Sequence, residues 1–350
     1  MQRVWIYGWN AKRLIVGRKE KIMISLKTPN GLDVDVPETH AEDVSPKFTI
    51  EQTREACTYY EKHGYVVFKG IIDKKTCEKI RSIWDAEVKP SQKYIYRQAT
   101  AKSELNVLNE DGWVMNPILN LQSLNPKYFG RLREAAVNDV LGAAKVRTCF
   151  EALLGEKPKV VQSMYFEGNS ATWEHQDTYY LDAEKLGDMS AAWVALEDIS
   201  AKAGRFFICP GSHKIELEKQ NKETNIADNH SVYIEKIVGI MKDQNMEIRA
   251  PLLEAGDVLF WHAWTMHGSL KSEDKTSRSS ITMHAIPSSQ MFQQLQTRIF
   301  EVPTDDINGT KIWRPKDQVK IKNRLIMFVE SYFPGPFYAL KKFAIKMLVR

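Results

Sequence analysis

Gly256-Asp257-Val258-Leu259-Phe260-Trp261-His262 reads as a turn that hands over to an apolar strand, and the chain then passes His267-Gly268-Ser269 to reach Arg278 beside a further strand. Similar short β-type runs lie to either side: Lys159 to Phe166, Ser190 to Leu196, Arg205 to Cys209 and Ser279 to Ile286. Upstream the period changes. Thr49 to His63 has helical spacing, with Ile50, Ala56, Tyr59 and Tyr60 as its candidate buried face and Gly64 as its stop. Tyr65-Val66-Val67-Phe68 reads as a strand, and Asp73 caps a second helix that turns Cys77, Ile80, Ile83 and Trp84 inward. Asn125 to Leu154 is helical again, with Asn125-Pro126 suited to a cap and first position. Helices followed by many short strands predict a mainly β domain with flanking helices, a sandwich or barrel. Lys214 to Gln244 is polar and reads as a surface insertion.

The chain has 350 residues, of which 43% are hydrophobic, enough for a sizeable core. Forty-nine basic against 44 acidic residues leave a net charge of +5, too slight at this length to imply nucleic acid. The four cysteines, Cys57, Cys77, Cys149 and Cys209, form neither a Cys-x-x-Cys motif nor a disulfide framework, which fits a reducing, cytoplasmic compartment. No run approaches the ~18 apolar residues of a membrane span. Residues 1–45 are expected to be a flexible leader and linker: Met1 to Lys27 is basic, with a transit peptide or an alternative start at Met23 as further readings, and Thr28 to Ser45 is rich in Pro, Gly and Asp. The main domain is expected over 46–290. A C-terminal extension over 291–350 ends in a basic amphipathic helix from Phe337 to Arg350, a segment suited to peripheral membrane contact or to packing on its own domain or a second subunit. Oligomeric state is not legible.

Trp173-Glu174-His175-Gln176-Asp177 places a His and an Asp two residues apart, and in extended backbone such residues share a face. Alone the triplet is weak evidence. With His267 it completes two imidazoles and one carboxylate, the facial set of non-haem Fe(II) oxygenases, which leaves coordination positions open for a chelating 2-oxo acid and dioxygen. A dicarboxylate co-substrate also needs a cation for its far end, and Arg278 supplies a planar fork. His262 is the rival ligand; the His-Gly-Ser context and the spacing to Arg278 favour His267, leaving His262 as a buried, hydrogen-bonded histidine.

These residues resemble the phytanoyl-CoA dioxygenase family of 2-oxoglutarate oxygenases. The likeness rests on His175-Gln176-Asp177, the Pro210-Gly211-Ser212-His213 loop, Gly256-Asp257 leading to His267-Gly268-Ser269, Arg278 eleven residues beyond His267, and the opening block around His63-Gly64-Tyr65-Val66-Val67. It implies a double-stranded β-helix core, jelly-roll or cupin-like, with Fe(2+) held by His175, Asp177 and His267. It also implies that Arg278 and Ser269 hold the distal carboxylate of 2-oxoglutarate, that Trp193 lies beside the co-substrate, and that Gln162 reaches the carboxylate near the iron. The implied reaction consumes O2 and 2-oxoglutarate, releases succinate and CO2, and oxidises a C–H bond of a small-molecule or lipid-like substrate. Related halogenases replace the carboxylate ligand with a small residue, so Asp177 points to hydroxylation or another C–H oxidation.

Other residues keep two readings. Tyr179 and Tyr180 follow the metal motif closely and border the site or simply pack. His213 lines the pocket or, more in keeping with its loop, stabilises the turn. Arg205 departs from the family pattern after Gly204 and is read as a surface residue or as a contact for an anionic substrate group. His284 faces pocket or core, while His40, His63 and His230 read as surface or turn residues. Two functional alternatives stand beside the oxygenase: a cupin-type metal dioxygenase or isomerase without 2-oxoglutarate, and a non-catalytic binding protein on the same scaffold. Arg278 discriminates, because without a dicarboxylate to hold, a buried arginine would need an internal acidic partner.

Overall fold

The computed structural model describes residues 23–215, 217, 229–296 and 298–348. Among the described residues, nine strands form one large mixed sheet, whose centre runs in the order Pro158–Phe166, Ser280–Pro287, Ser190–Ala195, Val258–His262, Tyr65–Phe68. These central neighbours are all antiparallel. A smaller sheet of Phe206–Ile208, His267–Ser269 and Thr172–His175 faces it. Together they make the double-stranded β-helix.

Side-chain parity in the central strands sorts the two faces. Ala192, Val194, Val258, Phe260, Ile281, Met283 and Ala285 turn towards the helices and pack with Trp84, Phe129 and Phe150. Their neighbours Ala191, Trp193, Ala195, Leu259 and Trp261 turn the other way, onto Phe206 and Ile208 of the small sheet. Both faces are therefore buried, which is why these strands read as continuous apolar runs rather than as alternating ones. Each large side chain so buried contributes roughly 1.5–3 kcal/mol.

The helices lie where their spacing predicts. Thr53–His63 buries Ala56 and Tyr60 and stops at Gly64, whose φ of 76° allows its N–H to reach the Tyr60 carbonyl. Lys74–Glu87 buries Cys77, Ile80, Ile83 and Trp84. The segment after Asn125 is broken into Pro126–Ala135, a π-turn over Ala136–Leu141, and Ala144–Leu154.

Three expectations need correction. Within the supposed leader and linker, Met23–Lys27 and Asp33–Pro37 form an antiparallel hairpin, and Val34 and Val36 pack against Phe207 and Leu270. The alternation in Asp33-Val34-Asp35-Val36 is the signal for it; residues 1–22 lie outside the described ones. The supposed surface insertion contains the helix His230–Asp243, which buries Tyr233, Ile234, Ile237, Val238 and Met241. Part of the supposed C-terminal extension is built into the sheets: Phe292–Gln294 pairs with Leu181–Ala183, and Thr310–Trp313 with Pro158–Phe166. No helix among the described residues is long and apolar enough to cross a membrane.

Candidate metal centre

His175 closes one strand of the small sheet, and His267 opens the strand beside it, directly across in register. Extended backbone at Gln176 then brings Asp177 round at the start of a short 3-10 turn. One ligand atom from each of the three lies within 4.8 Å of the others. His175 Nε2 and His267 Nε2 each stand 3.5 Å from Asp177 Oδ1. The remaining ring nitrogens are committed elsewhere: His175 Nδ1 is 2.8 Å from the Trp173 carbonyl, and His267 Nδ1 is 2.8 Å from the Thr265 carbonyl. A carbonyl only accepts, so each Nδ1 carries a proton, and each Nε2 is the nitrogen left for a metal.

The second carboxylate oxygen is held from behind. Trp261 Nε1 donates to Asp177 Oδ2 at 2.8 Å, and His284 Nε2 lies 3.3 Å from the same oxygen. Burial disfavours the carboxylate, but the imidazoles around it, His267 and His284 first, outweigh that, and the Asp177 carboxyl is held well below its usual range. Burial likewise pushes His267 down to about 3. At neutral pH the trio offers one anion and a neutral imidazole at His267, the protonation states that a divalent cation requires. His262 lies outside this cluster, with its Nδ1 accepting from the Trp264 N–H at 3.1 Å.

Replacing Trp261 with Phe removes the indole donor and keeps the ring. The expected result is a drop of roughly 10- to 100-fold in Fe(II) affinity, the usual consequence of losing a partner that orients a ligand, with thermal stability little changed. An Fe(II) titration of the purified variant against wild type measures it; equal affinity would show that Asp177 needs no such support.

Arg278 is fully buried, and its guanidinium lies 5.4 Å from the Phe166 ring and 5.7 Å from the Trp193 ring. Its Nη1 donates to the Gly204 carbonyl at 2.9 Å, while Nε is buried without a partner. Among the described residues no carboxylate pairs with it. Burial alone pushes the group down to about 9, so it remains a cation at neutral pH. Ser269 and Arg278 belong to one polar cluster: Ser269 Oγ donates to Asn169 Oδ1 at 3.2 Å, and Asn169 Nδ2 donates to the same Gly204 carbonyl at 3.0 Å. Gly204 has φ of 78°, and a Cβ there would stand 2.2 Å from Asn169 Nδ2, so the carbonyl that organises this cluster needs a glycine beneath it. Trp193 also approaches Phe206 at 6.5 Å, and Phe206 stacks on His267 at 5.2 Å. The arginine and the metal trio thus share one aromatic-lined interior.

Gln162 is half-buried and sits across from His284 in the sheet. His284 faces the site, as its Nε2 3.3 Å from Asp177 Oδ2 shows. Tyr179 is buried and stacks on Tyr233 at 3.7 Å, a packing role. Tyr180 borders the metal trio: its ring centre is 5.8 Å from that of His175, and its hydroxyl is 2.7 Å from His230 Nε2. Trp173, 45% exposed, lies 5.1 Å from the His230 ring, so Trp173, Tyr180 and His230 form a rim beside His175. His230 is therefore more than a turn residue. His213 serves its loop, with Nε2 3.0 Å from the Glu61 carbonyl. Arg205 is not on the surface. It is buried and donates to the carbonyls of Ile199, Ser200 and Pro37, tying the N-terminal hairpin to the barrel, which leaves its guanidinium committed to backbone rather than to a ligand.

Asn169, Trp261 and the Trp173–His230 rim have no site role in the sequence reading, which leaves His284 between pocket and core. Parity along the strands is the signal for Trp261 and His284. Asn169 carries none, because it acts through backbone carbonyls that only the fold assembles.

Comparison with known proteins places this architecture. The chain is 24% identical over 149 residues to a phytanoyl-CoA dioxygenase domain-containing protein 1 homolog of Caenorhabditis elegans, covering 41% of this chain and 51% of that protein. It is 31% identical over 148 residues to the phytanoyl-CoA dioxygenase domain-containing protein 1 of Bos taurus, covering 40% and 49%. The aligned region thus spans about half the length of these relatives. The fold matches that of the epimerase SnoN, solved with Fe3+, alpha ketoglutarate and nogalamycin RO, with a TM-score of 0.52 at 17% identity over 76% of this chain and 99% of that one. The family model for phytanoyl-CoA dioxygenase (PhyH) matches residues 60–280. That is more than half of the sequence, and the chain belongs to the phytanoyl-CoA dioxygenase family.

Proposed function

We propose that this protein is an Fe(II)- and 2-oxoglutarate-dependent dioxygenase that hydroxylates a C–H bond of a small-molecule or lipid-like metabolite and releases succinate and carbon dioxide. The observation that carries the reading is Arg278. A buried cation with an unpartnered Nε and no carboxylate partner among the described residues is an expensive feature unless a ligand completes it. A dicarboxylate whose other end chelates a metal in the same interior is the ligand that does so. The solved epimerase of this fold, with its iron and alpha ketoglutarate, supports the same reading.

His175, Asp177 and His267 would hold the iron, which fits two imidazoles and one carboxylate with Nε2 and Oδ1 turned towards one another. Bound together, iron(II) and 2-oxoglutarate supply the redox chemistry with dioxygen. The chain's own residues orient and exclude. Trp261 and His284 fix the carboxylate, the Trp173 and Thr265 carbonyls fix the imidazole tautomers, and Arg278 sets the reach of the co-substrate from the far end. Trp193 and Phe206 keep water from the interior between them, which strengthens each polar contact there. Tyr180, Trp173 and His230 are the groups we assign to the substrate side. A reducing, cytoplasmic setting fits the four free thiols.

The test requires no knowledge of the substrate. Fe(II) and then 2-oxoglutarate are added to the apo-protein without oxygen, and a visible charge-transfer band from the chelate is the expected result. Iron binding with no band on adding 2-oxoglutarate would leave the cupin-type reading in its place.

A further inference from the structure

The helix Ile321–Tyr332 is turned inside out. Its packed side is Met327, Glu330 and Ser331: Glu330 is buried and accepts from the hydroxyls of Tyr96 and Tyr338, and Ser331 Oγ lies 3.0 Å from Ser103 Oγ. Its apolar residues point outward. Ile321, Leu325, Phe328 and Tyr332 recur at helical spacing along one stripe and are 66%, 60%, 54% and 59% exposed. Lys322 and Arg324 flank this stripe, and both are exposed. After Phe333, which is exposed, the helix Pro334–Leu348 presents Leu340 and Phe343 to solvent as well. So large an apolar surface is rare on a protein that nothing covers.

Charge identifies what covers it. From Lys320 to Leu348 the sequence carries six basic residues and a single acid, Glu330, which is buried and engaged from the protein side. The outward face is therefore apolar and cationic, without a surface anion. A second copy laid face to face would set lysine against lysine at the rim, which like charges oppose. An anionic lipid surface answers both properties at once, taking the apolar stripe at the headgroup boundary and the cations at the phosphates. Neither helix is long enough to span a bilayer, so they would lie in the interface.

We propose that the two C-terminal helices seat this domain on an anionic membrane surface, through Leu325, Phe328 and Tyr332 with Lys322 and Arg324 at the rim. The proposal is independent of the iron chemistry. It is tested by flotation of the full chain with vesicles of phosphatidylcholine alone and of phosphatidylcholine mixed with phosphatidylserine. Sedimentation velocity without lipid runs alongside. The expected result is a monomer that floats only with the anionic vesicles and is released by salt. Phe328→Asp should weaken binding roughly tenfold or more, and Lys322→Glu with Arg324→Glu should do the same, both with an unchanged melting temperature. The paired charge reversal provides a second route should Phe328→Asp fail to fold. Failure of wild type to float with anionic vesicles would overturn the proposal, as would equal flotation of the variants. A dimer that Phe328→Asp splits would assign the face to a second copy instead.

Discussion

His267→Ala should abolish the charge-transfer band and all turnover while leaving the protein folded. His175 Nε2 and His267 Nε2 each stand 3.5 Å from Asp177 Oδ1, so removing one imidazole takes away one of the three donors proposed for the metal. Losing a group that merely orients a ligand costs roughly 10- to 100-fold in metal affinity, and losing the ligand itself should exceed that. The structural loss is modest, since the ring makes one hydrogen bond, to the Thr265 carbonyl, and stacks on Phe206. His262→Ala is the control, because that ring lies outside the trio and its loss should leave the band in place. Fe(II) titration followed by anaerobic spectroscopy of both variants decides the matter; a band that survives in His267→Ala and disappears in His262→Ala would reassign the ligand.

Arg278→Met should weaken 2-oxoglutarate binding by roughly 30-fold or more while Fe(II) affinity stays near that of wild type. Truncating one member of a buried, hydrogen-bonded charge pair costs about 2–5 kcal/mol, or roughly 30- to several-thousand-fold in affinity. The stability of the apo-protein provides an independent readout. Arg278 has no acidic partner to lose among the described residues, and Met fills a similar volume between Phe166 and Trp193, so the apo melting temperature should hold or rise. A large fall in melting temperature with unaltered 2-oxoglutarate affinity would mean that the arginine is structural and the co-substrate is held elsewhere.

Much of the architecture is legible in the chain because local rules dictate it. The helix stop at Gly64, the buried stripe of Cys77, Ile80, Ile83 and Trp84, and the five apolar runs all follow from periodicity and turn chemistry. The N-terminal hairpin is less visible, since a two-residue valine alternation resembles a loop when flanked by Pro, Gly and Asp. The helix after His230 is hidden by the polar residues on its other side. The short strands Thr172–His175 and His267–Ser269 have too few residues to show a period at all.

The site divides along the same line. Residue chemistry and spacing suffice to nominate His175, Asp177, His267 and Arg278, because few residue types bind iron or a carboxylate and these stand in a telling order. What the sequence cannot supply is juxtaposition. Trp261 and His284 become carboxylate supports only when sheet register brings two distant strands against Asp177. Asn169 matters only because the fold aims the Gly204 carbonyl at both it and Arg278. Arg205, which chemistry alone would send to solvent or to a ligand, is instead claimed by three backbone carbonyls that no local pattern announces. Local propensity and donor type act along the chain and can be read there, whereas the partner of a buried polar group is chosen by strands far away in sequence, and that choice exists only in the folded molecule.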